Sequence, residues 1–220
     1  MRGLRIAMVT VSLLLLSSGA FAQVFYPYPA APVVEENTPV FGPAIGIGDD
    51  LFRIIGFARF NISVPMDFGL EIVMDRFDTK EYVDNRLVSD SVWRFGAAGD
   101  VKYAFIPPDD TTMPFDLSFN AGFGFESGGD VTNIVVPIGV LISKPVEIAP
   151  NRLFTPFAGV YLLILHASVD LGPLGDVSDT DTDVELRTGA SVNVTERADM
   201  FAALHFGSGT RFYIGLNWRL

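Results

Sequence analysis

Residues 211–220 read Arg-Phe-Tyr-Ile-Gly-Leu-Asn-Trp-Arg-Leu. Phe212, Ile214, Leu216, Trp218 and Leu220 take every second position. Arg211, Gly215, Asn217 and Arg219 alternate with them, and Tyr213 is the one aromatic on that second set. A period of two gives a strand with one greasy face and one polar face. The strand runs flush to the last residue with no polar tail, and this is the expected ending of a barrel whose strands alternate between lipid and lumen.

The same alternation recurs upstream. In residues 51–62, Phe52, Ile54, Ala58, Phe60 and Ile62 oppose Arg53 and Arg59; in 66–77, Met66, Phe68, Leu70, Ile72 and Met74 oppose Asp67, Glu71 and Asp75. In 91–106 the apolar set is Trp93, Phe95, Val101, Tyr103 and Phe105, against Arg94, Asp100 and Lys102. Segment 114–126 sets Phe115, Leu117, Phe119, Ala121, Phe123 and Phe125 against Asp116, Ser118, Asn120, Gly122, Gly124 and Glu126. Segments 132–143 and 184–194 continue the pattern, the latter with Glu185 and Arg187 on its polar face. Segment 153–168 is apolar on both faces, so its phase is open, and 199–206 is short and ambiguous.

With 211–220 these segments number nine. Bacterial single-chain barrels have an even count. Counting back from a periplasmic carboxyl terminus, 51–62 runs downward, so an upward strand precedes it, and Val40–Gly48 is the natural choice. The expectation is an all-β, antiparallel up-and-down transmembrane β-barrel of 10 strands, with 8 as the alternative if 51–62 stays outside. Compact turns at 63–65, 107–113, 145–151 and 195–199 alternate with connectors at 78–90, 127–131, 170–183 and 207–210; two of these are long and acidic, and 78–90 and 170–183 are read as the exposed surface loops.

The amino terminus has an export layout. Arg2 and Arg5 precede an apolar run from Ile6 to Leu16, and Ala20-Phe21-Ala22 is a small-x-small cleavage site. That run is shorter than the roughly 20 residues of a spanning helix. Domain organisation is therefore read as a signal peptide over 1–22, a proline-rich periplasmic arm over 23–38 (Tyr26-Pro27-Tyr28-Pro29, then Pro32) and the barrel over 39–220. The leader carries two arginines and no acid, so its removal takes the formal charge from −11 to −13. Such acidity argues against a nucleic-acid partner. The chain has no cysteine, which removes thiol chemistry, disulfides and a lipoprotein anchor.

The polar faces carry charges of both signs in equal number. Arg53, Arg59, Arg94, Lys102, Arg187, Arg211 and Arg219 stand against Asp67, Glu71, Asp75, Asp100, Asp116, Glu126 and Glu185. A small barrel has an interior just wide enough for side chains, and charges there must pair. These residues are expected to form a salt-bridged lumen network, with inward glycines such as Gly69, Gly189 and Gly215 giving room for long arginines.

The export signal, the segments Val136-Pro137-Ile138-Gly139-Val140 and Thr155-Pro156-Phe157-Ala158-Gly159-Val160, and the Phe212…Trp218…Leu220 register together resemble small OmpA/opacity-type outer-membrane barrels over about residues 40–220. The resemblance is one of pattern, and Leu220 stands where that family usually has phenylalanine. It implies a Gram-negative outer-membrane location, contact with membrane lipid and lipopolysaccharide, and delivery by the barrel-assembly machinery, with Phe212, Trp218 and Leu220 as the assembly signal. The role expected is structural or surface-interacting; a small-solute channel and a rim enzyme acting on lipid are the alternatives.

For catalysis the chain offers two histidines near expected loop ends: His166, followed by Ser168 and Asp170, and His205, followed by Ser208, with an acid from 176–183 within reach. A nucleophile–base–acid set needs those residue types, but ordinary rim polarity explains them as well, and no catalytic residue or cofactor is assigned. Asp176, Asp179, Asp181 and Asp183 form an acidic run in which carboxylates on one strand face would suit calcium. It lacks the EF-hand glycine and glutamate, and acidic runs are ordinarily solvated.

Overall fold

The computed structural model describes residues 38–49, 51–63, 65–83, 86–106 and 115–220. The export leader and all of the proline-rich arm except Thr38 lie outside the described residues. Eleven strands follow in order: β1 (Val40–Gly48), β2 (Leu51–Ser63), β3 (Met66–Val83), β4 (Arg86–Ile106), β5 (Asp116–Gly128), β6 (Val131–Ser143), β7 (Val146–Ala149), β8 (Arg152–Asp170), β9 (Asp176–Thr195), β10 (Ala198–Phe206) and β11 (Thr210–Arg219). Each pairs antiparallel with its neighbours. β6 pairs with β8, and β1 pairs with β11, so the sheet closes on itself. β7 is a short ribbon joined to the start of β8. Ten strands therefore form the wall. A three-residue 3₁₀ turn at Gly172–Leu174 is the one helical element among the described residues.

Closure is what the sequence requires. In hydrocarbon no water can satisfy a backbone N–H or C=O, so an open sheet edge is excluded and the last strand must meet the first. The seam is in register from Ala44↔Gly215 to Gly48↔Arg211, and again at Val40↔Arg219 and Phe41↔Trp218. The ladder is interrupted between these, at Gly42 and Pro43, because proline has no N–H to give.

The alternation sorts the residues as a barrel in lipid demands. Ile45, Phe60, Ile72, Phe95, Phe123, Val160, Leu186, Phe212 and Leu216 are exposed on the outer face. Inward residues of the same strands are buried. Trp93 and Tyr103 lie ten positions apart on the outward face of β4, which is about 33 Å of strand. With the usual tilt of about 40° this spans about 25 Å of membrane, the height of an outer-membrane apolar band. Tyr103 packs edge-to-face on Phe105 (5.1 Å), and Phe105 on Phe119 (6.5 Å), giving one aromatic rim.

Two expectations need correction. Segments 78–90 and 170–183 are largely paired strand and not loop: β3 and β4 stay in register to Val83↔Arg86, and β8 and β9 to Asp170↔Asp176. Beyond the membrane both faces meet water, so a strand there has no reason to alternate. The compact turn expected at 145–151 likewise holds a short strand, β7, paired with the start of β8.

Ile72 is 69% exposed and sits near the middle of the stretch between the β3 positions that face Trp93 and Tyr103 (Arg76 and Met66). Ile72→Lys is expected to cost about 2–4 kcal/mol of folding stability in lipid bilayers, read as a lower urea midpoint. An unchanged midpoint would place this face in water.

Candidate functional site

The inward face of β2–β5 carries two ion-pair networks whose partners are set by strand register. Arg53 stands opposite Asp75, and Asp75 opposite Arg94. Arg53 Nε donates to Asp75 Oδ1 at 2.7 Å and its Nη2 donates to Oδ2, the bidentate arrangement a guanidinium favours. Glu126 on β5 lies 3.6 Å from Arg53 and 3.8 Å from Arg94. In the second network Arg59 bridges Asp67 and Asp100, while Lys102 reaches Asp67 at 3.5 Å. Asn120 donates its amide to Asp100 at 2.5 Å. Gly69 has no side chain because Arg59 and the Asp100 carboxylate occupy that space.

A third network lies on β9–β11. Glu185 accepts from Arg187 Nε at 2.6 Å and from Arg211 Nη1 at 3.4 Å, and its Oε1 is 3.3 Å from His205 Nδ1. Arg187 stacks over the Tyr161 ring at 3.8 Å, and His205 lies 4.6 Å from the Tyr213 ring. Arg219 pairs with Asp199 at the end of the barrel, where its side chain is 34% exposed. It belongs to the rim and not to the lumen network expected of it. Glu71 and Asp116 face inward and are buried; Asp116 Oδ2 has no hydrogen-bond partner among the described residues.

Between these networks the interior is apolar. β6 and β8 turn Val135, Leu141, Phe157, Tyr161, Leu163 and Leu165 inward, and these pack with Ile55, Val73, Phe201 and Tyr213. The glycines reflect this. Gly215 and Gly189 abut the Phe201 and Phe157 rings, so they make room for aromatics and not for arginines as expected.

The histidines do not converge. His205 is 1% exposed and points into the lumen, away from the rim setting read for it. His166 lies on the opposite phase of the wall, its Nδ1 2.8 Å from Thr180 Oγ1. Ser208 gives its backbone N–H to Asp183 at 2.8 Å. Among the candidate metal ligands, Asp176 falls on the strand face opposite Asp179, Asp181 and Asp183. Each of these three accepts from the following backbone N–H, at 2.7 to 2.9 Å. Among the described residues no group of three or more His, Asp or Glu is placed to hold a metal. Phe212, Trp218 and Leu220 are exposed on the outer face, Trp218 beside Phe41 across the seam.

No family model matches the chain, and no curated protein matches it in sequence. Among solved structures, the beta domain of the Bordetella autotransporter BrkA aligns with a TM-score of 0.53 and 11% identity, over 83% of this chain and 98% of that one. The translocator domain of the autotransporter NalP from Neisseria meningitidis aligns at 0.44 and 10% identity, over 98% and 96%. KdgM porin aligns at 0.40 and 10%, over 81% and 98%. At this identity the first likeness shows the fold alone, and the other two are too weak to argue from. The class is fixed to that extent: the chain has the fold of an outer-membrane β-barrel protein.

Removing one partner of a buried pair leaves the other charge uncompensated. Asp75→Asn is therefore expected to cost about 3–5 kcal/mol of stability in urea unfolding of the refolded barrel. Adding Arg53→Met should recover most of the loss. A single-variant cost under about 1 kcal/mol, the range of a surface pair, would contradict the burial of this network.

Proposed function

We propose that this chain is a surface scaffold of the Gram-negative outer membrane, with its lumen filled by its own side chains. In this reading residues 1–22 export it and the assembly machinery recognises Phe212, Trp218 and Leu220. The wall contacts lipid and lipopolysaccharide, and the β3–β4 and β8–β9 hairpins offer the interacting surface. The relationship to small OmpA/opacity-type barrels belongs to the same reading, and no residue in it is catalytic.

One observation carries the proposal. Arg53, Asp67, Asp75, Glu126 and Glu185 are each 0% exposed although they line the inward face of a ten-stranded wall. A continuous water column would wet such charges. Packed ion pairs and inward aromatics fill the space where a pore would run, and the apolar face of β6 and β8 completes the packing.

A small-solute channel is the second reading, favoured by ten strands over eight, since barrel diameter grows with strand number. Planar-bilayer recording on purified, refolded protein separates the two. The scaffold reading expects no stepwise conductance above the lipid baseline. Reproducible unitary steps would sink it in favour of the channel.

A further inference from the structure

Above the membrane the wall is uneven, and the unevenness leaves strand edges uncovered. β10 meets β9 no higher than Phe206↔Leu186, while β8 and β9 stay paired up to Asp170↔Asp176. Residues 176–184 of β9 therefore have β8 on one edge and no strand on the other among the described residues. An uncovered edge is a row of N–H and C=O groups with which another chain can pair. Val177, Thr180, Thr182 and Val184 are all strand formers, so the sequence here favours the extended form that such pairing needs.

The edge is not bare. Each residue of an antiparallel strand turns its N–H and C=O to one side, and the sides alternate along the chain. Val184 turns its carbonyl oxygen toward β10, 3.4 Å from the place a Cβ on Gly207 would take. Thr182 and Thr180 share that phase, so their N–H groups point out along the uncovered edge. Each of these N–H groups is taken by the carboxylate of the preceding residue: Thr180 N–H donates to Asp179 Oδ1 at 2.9 Å, Thr182 N–H to Asp181 Oδ1 at 2.7 Å, and Val184 N–H to Asp183 Oδ1 at 2.8 Å. Asp183 also accepts the Ser208 N–H on Oδ2 at 2.8 Å, which holds the β10–β11 turn against the foot of the edge. Asp179, Thr180, Asp181 and Thr182 are exposed, so water alone would satisfy these N–H groups. The carboxylates do what water does not. They hold an anionic oxygen at each position where the carbonyl of an added strand would have to arrive.

We propose that Asp179, Asp181 and Asp183 cap the upper edge of β9 against strand addition, and that the strand they exclude belongs to a second copy of this chain. Copies inserted in one membrane carry their uncovered edges on the same side. Each copy has another such edge, because β3 continues beyond Phe77 while its partner β2 starts at Leu51. β3 runs opposite to β9, so β3 of one copy would extend β9 of the next as an antiparallel strand. The alternate spacing of the aspartates follows, since only every second N–H points to the edge. The inference needs the fold alone and holds for a sealed or a conducting barrel, so neither result of the conductance experiment bears on it.

Two triple variants of the full chain separate the cap from its charge. Asp179→Ala with Asp181→Ala and Asp183→Ala removes both the charges and the acceptors. Asparagine at the same three positions removes the charges and keeps each Oδ1 acceptor. After refolding into lipid vesicles, chemical cross-linking is expected to show the native chain and the asparagine variant as monomers, and the alanine variant as dimers or larger species. An alanine variant that stays monomeric overturns the proposal. So does an asparagine variant that associates as far as the alanine one, since repulsion between copies would then be the barrier. If the alanine triple does not refold, amide exchange on single variants decides. The Thr182 N–H should exchange several-fold faster in Asp181→Ala than in the native chain, and at the native rate in Asp181→Asn. An unchanged rate in Asp181→Ala shows that no cap exists there.

Discussion

A backbone amide in hydrocarbon has no water to turn to. Each N–H and C=O in the wall must find a partner in the next strand, and the last strand must find the first. Most of this architecture follows from that requirement. It excludes open edges and brings β11 back to β1, and because every pairing is antiparallel the closed wall has an even number of strands. It also makes each strand a boundary between two media, so that consecutive residues face lipid and lumen in turn. Where proline removes an N–H, at Pro43 in the seam strand, the ladder shows a gap.

Closing the sheet creates an interior, and the interior sets the second constraint. Ten strands enclose more room than eight, and the chain fills it in two ways. On β2–β5 and β9–β11 the filling is ionic, with partners such as Arg53 and Asp75 directly opposite on adjacent strands. On β6 and β8 it is apolar, with Tyr161, Leu163 and Leu165 packed inward. Buried ion pairs gain little net stability because desolvation offsets attraction. Their contribution here is better described as specification. A one-residue slip of β3 against β2 would turn Asp75 to the lipid and leave Arg53 alone, so the pairs hold the register that the outer apolar face alone holds less firmly.

Much of this was legible in residues whose two faces differ chemically. β2, β5 and β11 could be read because charged, polar or glycine residues alternate with phenylalanine, isoleucine or leucine over most of their length, Ile55, Phe57 and Tyr213 being among the inward exceptions. Even the pairing of Arg53 with Asp75 is countable, since the two stand equally far in sequence from residue 64 between β2 and β3. β8 could not be phased because Phe157, Tyr161 and Leu163 face inward and are as apolar as Val160 and Leu162 facing out. The extensions of β3, β4 and β9 were hidden for the complementary reason: outside the membrane both faces are wet, and polar sequence reads as loop. His205 was missed as a buried group because Ala202 and Ala203 blur the phase of β10. Counting back from Ser208 as far as Arg211 lies forward would have placed it on the inward face. Which buried donors lack a partner among the described residues, as at Arg187 and Tyr213, is a matter of side-chain geometry that no period conveys.

The central claim is that β11 divides lipid from lumen at every residue. The chain has no cysteine, so single cysteines placed in turn from 212 to 217 can each carry a spin label without background. In protein refolded into lipid vesicles, labels at 212, 214 and 216 should collide freely with dissolved oxygen and little with a water-soluble nickel complex. Labels at 213, 215 and 217 should show low oxygen accessibility. A profile without period two, or one in which the even positions meet the nickel complex as readily as oxygen, would contradict the account.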